Sequence, residues 1–224
     1  DIYKKHGGKA DEPHRHSFYT ILLIEEGKGE HKIDFNSYPI EGNEIFFIAP
    51  GQVHQLIEKE ASKGYSIVFS GEFLLKNFIP IQFIDDLNLF RDFGDTPSLK
   101  VNSDSIIELK KFADEMYRLH NTNEALKYES IGSFLKLFLI KCNQWCELPD
   151  ENLQNVESGR RILRKFKQII NENYKEWHQS QDYADALHIS ADHLNRVVKS
   201  LSGKTSKEHI QSRITIAAKR LLFF

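Results

Sequence analysis

Residues 179–203 read QSQDYADALHISADHLNRVVKSLSG, and the division of this stretch into two short helices decides how the C-terminal third of the chain is organised. Ser180 is placed to cap a first helix that runs to Leu187, a tight connection follows, and Ser190 is placed to cap a second helix to about Ser202, ended by Gly203. In the second helix Leu194, Val197, Val198 and Leu201 recur at i, i+3, i+4, i+7, while Asp192, Asn195, Arg196 and Lys199 repeat those offsets on the opposite face. The outward face has the chemistry to read a major groove: arginine bonds guanine bidentately, asparagine does so with adenine, and aspartate accepts from the cytosine amino group. Lys199 and the segment Lys204-Thr205-Ser206-Lys207 suit phosphates. Two helices joined by a tight turn form a helix-turn-helix arrangement. Surface helices generally carry polar faces, however, and Asp192 in the first turn equally complements a helix dipole, so periodicity alone leaves the two readings even.

Working backwards, Ile162, Phe166, Ile169, Ile170 and Tyr174 form the apolar face of another helix, whose other face carries Arg160, Arg161, Arg164, Lys165 and Lys167. Before it, residues 149–159 are polar and begin with Pro149, the composition of an exposed linker and a domain boundary. Charge changes sign there. The 224-residue chain has 30 Lys+Arg against 32 Asp+Glu, a net −2 that by itself argues against a polyanionic partner. Divided at Asn155, the same charges become 17 basic against 25 acidic before it and 13 basic against 7 acidic after it.

The first seventy residues read as short strands, 18–25, 30–35, 44–48, 53–58 and 63–69, rich in β-branched and aromatic residues. Turn signals fall at Gly27-Lys28-Gly29, Asn36-Ser37, Pro50-Gly51 and Ala61-Ser62, a pattern that predicts an antiparallel sandwich or small barrel. After a Phe-rich connection from Phe73 to Phe93, Ile106, Leu109, Ala113 and Met116 mark a helix capped by Ser103 or Asp104. The next helix, about 124–146, carries Tyr128, Ile131, Leu135, Phe138, Cys142 and Trp145 at 3-4-3-4-3 spacing. That seam suits either pairing between two chains or packing on the chain's own core. Cys142 and Cys146 are four apart on one helix face and read as reduced packing residues, since two thiols make neither a disulfide framework nor a zinc site. No apolar run approaches the roughly 20 residues needed to cross a bilayer. The chain opens Asp-Ile-Tyr-Lys-Lys, without initiator methionine or signal peptide, so a cytoplasmic protein of which this chain is a piece is expected.

The pattern Ala184-x-x-Leu187-x-x-Ser190-x-x-x-Leu194-x-Arg196-x-x-Lys199-x-x-x-Gly203, followed by Arg213 and Ala218-Lys219-Arg220-Leu221-Leu222, resembles the first DNA-binding subdomain of the AraC/XylS family of bacterial transcription regulators. The resemblance implies that Asp192, Asn195, Arg196 and Lys199 read bases and backbone, with Lys204 and Thr205 beside them. His188 stands where the family usually has glycine, and the family's second helix-turn-helix unit would lie beyond Phe224. The N-terminal part resembles the cupin barrel that the family uses to sense a small molecule, through Pro13-His14-Arg15-His16, Glu26-Gly27-Lys28-Gly29 and Pro50-Gly51-Gln52-Val53-His54. On a strand His14 and His16 face one side and His54 returns on a later strand, an arrangement able to hold a divalent metal. Enzymatic cupins add a carboxylate shortly after the first pair, whereas Tyr19, Thr20 and Ile21 stand here and the first acid is Glu25.

The expected architecture is therefore α+β: a cupin-like antiparallel β-barrel over 1–100, a helical pair over 101–148 with Tyr128, Ile131, Leu135, Phe138, Cys142 and Trp145 as a dimerisation seam, the linker, and an all-α helix-turn-helix half-domain over 160–224. The expected function is a sequence-specific regulator, not an enzyme, without cofactor or metal, whose barrel binds an effector at His14, His16, Tyr19 and His54. Its expected partners are double-stranded promoter DNA, a second copy of the chain and RNA polymerase, with no membrane. The alternatives are a metal-dependent cupin enzyme using His14, His16 and His54 with an appended helical domain, and a protein-interaction module without DNA affinity.

Overall fold

The computed structural model describes residues 12–34, 36–87, 89–90, 97–145, 153–202 and 204–223, and the chain divides into two compact units, 1–146 and 147–224. The first is built on a six-stranded antiparallel sheet: β1 (His14–Arg15), β2 (Tyr19–Ile33), β3 (Asn36–Ile40), β4 (Glu44–Ile48), β5 (Val53–Phe69) and β6 (Leu99–Lys100). The hydrogen-bonded order is β1-β5-β2-β4-β6, with β3 pairing β2.

Three of the four expected turns lie inside strands. Gly27-Lys28-Gly29 and Ala61-Ser62 lie inside the long strands β2 and β5, whose ladder shifts register between Ile24 and Gly29 instead of reversing. Glycine and small polar residues mark a β-bulge as readily as a hairpin, and bulges bend a strand without ending it. The bend folds the sheet onto itself, so Leu22 and Ile24 from one half of β2 share a core cluster with Ile33 from the other half and with Ile40, Phe46, Ile48 and Leu56. The ladder ends at β1 and at β6, so among the described residues the expected barrel is a folded sheet that does not close. The expected turn at Asn36-Ser37 is the start of β3, in which Pro39 pairs with Glu30; proline is tolerated where the strand has a free edge.

The outer side of the same strands faces helices. Ile21 and Leu23 alternate with Leu22 and Ile24, and they join Ile45, Phe47 and Phe69 in a second cluster with α1 (Gly71–Lys76), α2 (Ile81–Leu87), α3 (Ser103–His120) and α4 (Lys127–Trp145). The continuous apolar run from Ile21 to Ile24 therefore belongs to a strand buried on both faces. Two short helices, α1 and α2, occupy the stretch expected to be a connection, α1 capped by Ser70, whose hydroxyl accepts from Phe73 N. Asn102 rather than Ser103 or Asp104 caps α3, its Oδ1 accepting from Ser105 N at 2.8 Å.

The seam of α4 is spent inside this unit. Leu135, Phe138 and Cys142 are at most 1% exposed and pack with Leu109, Ala113 and Met116 of α3, which leaves them no surface for a second chain. Ile131 and Trp145 are partly buried against the same cluster and Tyr128 is exposed. Because sheet and helical pair share this cluster, they form one unit. Cys146 lies outside the described residues.

The second unit comprises α5 (Leu153–Asn173), α6 (Ser180–Ala186), α7 (Ala191–Ser202) and α8 (Ser206–Phe223). Helix α5 begins within the expected linker, so residues 153–159 are helical and Gly159 is buried beneath Val197 and Leu201 of α7. Polarity there signalled exposure, but nothing after Pro149 forbids a helix. Leu163, Phe166 and Ile170 of α5 are buried, and the Phe166 ring meets Tyr183 edge-to-face at 5.6 Å and His209 at 6.2 Å. Arg213 of α8 donates to Asn171 Oδ1 at 2.7 Å and stacks over the Tyr174 ring at 3.9 Å, tying α8 to α5. No helix among the described residues is long and apolar enough to cross a membrane.

Candidate functional site

Helix α6 ends in a Schellman turn: Ile189 N donates to Ala184 O and His188 N to Asp185 O, both at 3.0 Å, with His188 at φ 56°. That position usually takes glycine because a Cβ is strained in the left-handed region. His188 is exposed, so nothing packed is lost on truncation. His188→Gly is expected to raise stability by about 0.5–1 kcal/mol in urea unfolding, the relieved strain exceeding the entropy glycine adds to the unfolded chain. An unchanged or lower midpoint would contradict this backbone geometry.

Past the turn, Ser190 Oγ accepts from His193 N at 3.1 Å and starts α7. Leu194 and Val198 are fully buried, and Asp192, Arg196 and Lys199 are exposed on the far side. Arg196 Nη2 lies 3.1 Å from His193 Nδ1, which braces the guanidinium along the helix; His193 is a neighbour that sequence reading passed over.

Two expected DNA contacts also make hydrogen bonds within the unit. Asn195 Oδ1 accepts from Ser206 N at 3.1 Å and from Ser206 Oγ at 3.3 Å, so its amide is turned toward the start of α8. Thr205 caps α8: its Oγ1 donates to Glu208 Oε2 at 2.7 Å and accepts from Glu208 N at 3.2 Å, while Thr205 N donates to the same carboxylate at 2.6 Å. Thr205-x-x-Glu208 is a capping box and was readable as one. The Thr205 hydrogen bonds hold the Glu208 carboxyl below its usual range. Lys204 is half-buried. Ser180 Oγ lies 2.9 Å from Ser206 Oγ, so the starts of α6 and α8 meet beside Asn195.

The folded sheet brings together a second group. His14 pairs with His54 across β1 and β5, and one ring nitrogen from each of His14, His16 and His54 lies within 4.8 Å of the others. His14 Nε2 is 3.0 Å from His16 Nε2, and His14 Nδ1 is 2.7 Å from Glu12 O. A carbonyl only accepts, so His14 Nδ1 carries the proton in that contact. Phe18 stacks on His16 with centroids 4.4 Å apart. The turn at Pro50-Gly51 is tied to the group by Gly51 N, which donates to His16 O at 2.7 Å. Gln52, fully buried, accepts from Ala49 N at 2.7 Å and donates to Asp34 Oδ2 at 3.3 Å, joining this turn to the end of β2.

A fourth histidine belongs here. His31 is fully buried, its Nε2 is 3.1 Å from His54 Nδ1, and its ring meets Phe46 edge-on at 4.7 Å. In Glu30-His31-Lys32-Ile33 it alternates in phase with inward-facing Ile33, the only sequence signal for its position. Burial and neighbouring imidazoles push His31 and His54 down to about 3, so both rings are neutral at ordinary pH. His54 Nε2 and His31 Nδ1 are buried without a hydrogen-bond partner. Tyr19 is not part of the group: its ring stacks on Phe69 at 5.2 Å, in the cluster on the helix side of the sheet. Residues one apart on a strand face opposite ways, and Tyr19 shares the parity of Ile21 and Leu23.

Residues 6–126 match the family described as AraC-like ligand binding domain. The chain is similar to the HTH-type transcriptional activator RhaR of Mannheimia succiniciproducens, 20% identical over 215 residues that cover 93% of this chain and 72% of the relative. The HTH-type transcriptional activator RhaS of Pectobacterium carotovorum is 21% identical over 213 residues, 93% of this chain and 73% of its own. Among solved structures, the AraC-like transcriptional activator CuxR matches with a TM-score of 0.40 and 13% identity, covering 90% of this chain and 68% of that one. The family match extends over more than half of the chain, from ahead of the histidine cluster to the start of α4, and the chain belongs to the family of proteins built on the AraC-like ligand-binding domain.

Proposed function

We propose that this chain is a sequence-specific transcription regulator in which the folded sheet senses a small molecule and α7 enters the major groove of promoter DNA. The observation that carries the reading is the division of α7: Leu194 and Val198 are buried beneath it, and Asp192, Arg196 and Lys199 stand clear on the opposite face. Arg196 is the base reader, Asp192 its neighbour one turn earlier, and Lys199 a phosphate contact. Asn195 and Thr205 act by fixing α7 against the start of α8. The family membership and the activators RhaR and RhaS support the same reading.

The protein works as a homodimer on two half-sites and acts with RNA polymerase, inside the cytoplasm. With Leu135, Phe138 and Cys142 committed to the core, contact with a second chain along the expected seam of α4 falls to Tyr128 and the outer edges of Ile131 and Trp145. An effector alters DNA binding only by its differential affinity for the two states of the regulator.

Arg196→Ala in the full-length protein is expected to weaken specific binding by about 1–3 kcal/mol and to relax preference at one base position. The check is a binding series against single-base operator variants at two salt concentrations. A uniform loss across all sequences would make Arg196 a phosphate contact, and the absence of any salt-dependent DNA binding by the wild type would remove the regulator reading.

A further inference from the structure

We infer that His193 is a positioning residue for base reading: its unprotonated Nδ1 holds the Arg196 guanidinium in the orientation that reads guanine, without cancelling its charge, and so sets how strictly α7 discriminates at that base pair. This role rests on the proposed entry of α7 into the major groove and adds what aims its arginine there.

The contact is local and its polarity is fixed. His193 stands three residues before Arg196, so the two are neighbours on one helix surface, where long side chains lean back toward the helix start. Arg196 Nη2 is 3.1 Å from His193 Nδ1. A guanidinium only donates, so Nδ1 offers its lone pair, and the imidazole in this contact is neutral with its proton on Nε2. One N–H of the arginine fork is used, and the rest remain for the O6 and N7 acceptors of guanine.

His193 is itself held. It is half-buried in the first turn of α7, and its backbone N donates at 3.1 Å to Ser190 Oγ, the cap that starts the helix. Support therefore runs from cap to imidazole to guanidinium, all between Ser190 and Arg196.

The choice of partner matters. Asp192 lies one turn before Arg196 on the same face, and the guanidinium is turned to the imidazole instead. A carboxylate that oriented the arginine would also offset the charge that draws it to DNA, whereas a neutral acceptor orients it and leaves the charge whole. An unsupported exposed arginine samples many rotamers, and fixing it on binding costs affinity. Held beforehand, Arg196 loses less on meeting the base that fits its orientation and adapts poorly to the others.

The test uses a DNA duplex selected by the full-length wild type from a random pool, with dissociation constants measured for it and its single-base variants at two salt concentrations. His193→Ala is expected to reduce discrimination at the Arg196 base pair by about 3–10-fold, leaving the other positions and the salt dependence unchanged. His193→Asn sets an amide oxygen where Nδ1 stands and is expected to restore discrimination. His193→Gln, whose oxygen reaches the place of Nε2, is expected to resemble the alanine variant. In an Arg196→Ala background, His193→Ala is expected to change nothing further at that base pair. A uniform loss across all duplexes would make His193 a phosphate contact, and a loss that persists without Arg196 would make it a base reader in its own right. Rescue by glutamine rather than asparagine would make it a packing residue. Each of these, like unchanged discrimination by His193→Ala, overturns the inference. Failure of the wild type to select any duplex removes the regulator reading and this role with it; selection followed by any of the other outcomes overturns this role alone.

Discussion

Gly64→Ala is expected to destabilise the sheet unit by about 3–5 kcal/mol, enough to leave a marginal domain largely unfolded. Gly64 pairs with Ile24 where β5 runs beside β2, with φ 148°. A Cβ there would overlap the carbonyl oxygen of Leu23 and stand 2.9 Å from its carbonyl carbon, both backbone atoms that no rotamer change can move aside. Relief requires the two strands to separate, and on β2 this displaces Leu23 and Ile24, which are buried in different clusters on the two sides of the sheet. Gly51→Ala isolates the other part of the cost: φ there is 81°, yet nothing lies within 4 Å of an added Cβ, so only conformational strain of about 1–2 kcal/mol applies. Urea denaturation of both variants ranks them. Equal losses would mean that β5 does not approach β2 this closely at Gly64.

The helical unit is expected to lose on the order of 3 kcal/mol of stability as pH falls from about 6.5 to about 4, through His209. His209 is 8% exposed, its Nε2 lies 2.8 Å from Ser202 Oγ, and its ring packs against Phe166. Burial, then the positive charges of Lys167 and Lys204, push its pKa down to about 4, with Glu208 opposing. In the unfolded chain the same ring titrates near 6.5. Between those values the unfolded state binds more protons, so stability rises with pH through the window, is complete above it, and is lost as the pH falls toward 4. The chain has two tryptophans, and a Trp145→Phe background leaves Trp177, 5.5 Å from Tyr183, to report on this unit alone. His209→Gln in that background should flatten the pH dependence of the melting midpoint. An unchanged slope would assign the acid sensitivity to other groups.

What could be read in advance follows from how local each signal is. Helix α7 was legible because its period, its Ser190 cap and the preceding turn lie within a dozen residues. The helical pair was legible for the same reason, Ile106, Leu109, Ala113 and Met116 being buried as their spacing implied. The long bent strands were not, because Gly27-Lys28-Gly29 has the same composition whether the chain reverses or bulges, and only the partner strand decides between them. The convergence of His14, His16 and His54 was legible from alternation and the Pro50-Gly51 turn. His31 was not, since one histidine in phase with isoleucine looks like any inward residue until the sheet folds and sets it against His54. The bond from Ser206 N to Asn195 was not legible, because a helical wheel shows which way a side chain points and not that the next helix needs a partner for Ser206 N.

The strand β2 has a consequence for how the sensing unit responds to what it binds. From Ile21 to Ile24 its residues point alternately into the folded sheet and into the helical layer, so the two cores are separated by a single peptide backbone. Interiors packed at crystal density have little slack. A change in volume on the inner side of Leu22 and Ile24 is therefore expected to press on the backbone that carries Ile21 and Leu23, against which α3 and α4 rest. This party wall makes the helical layer a gauge of the sheet's contents, read through main chain rather than through any relay of side chains.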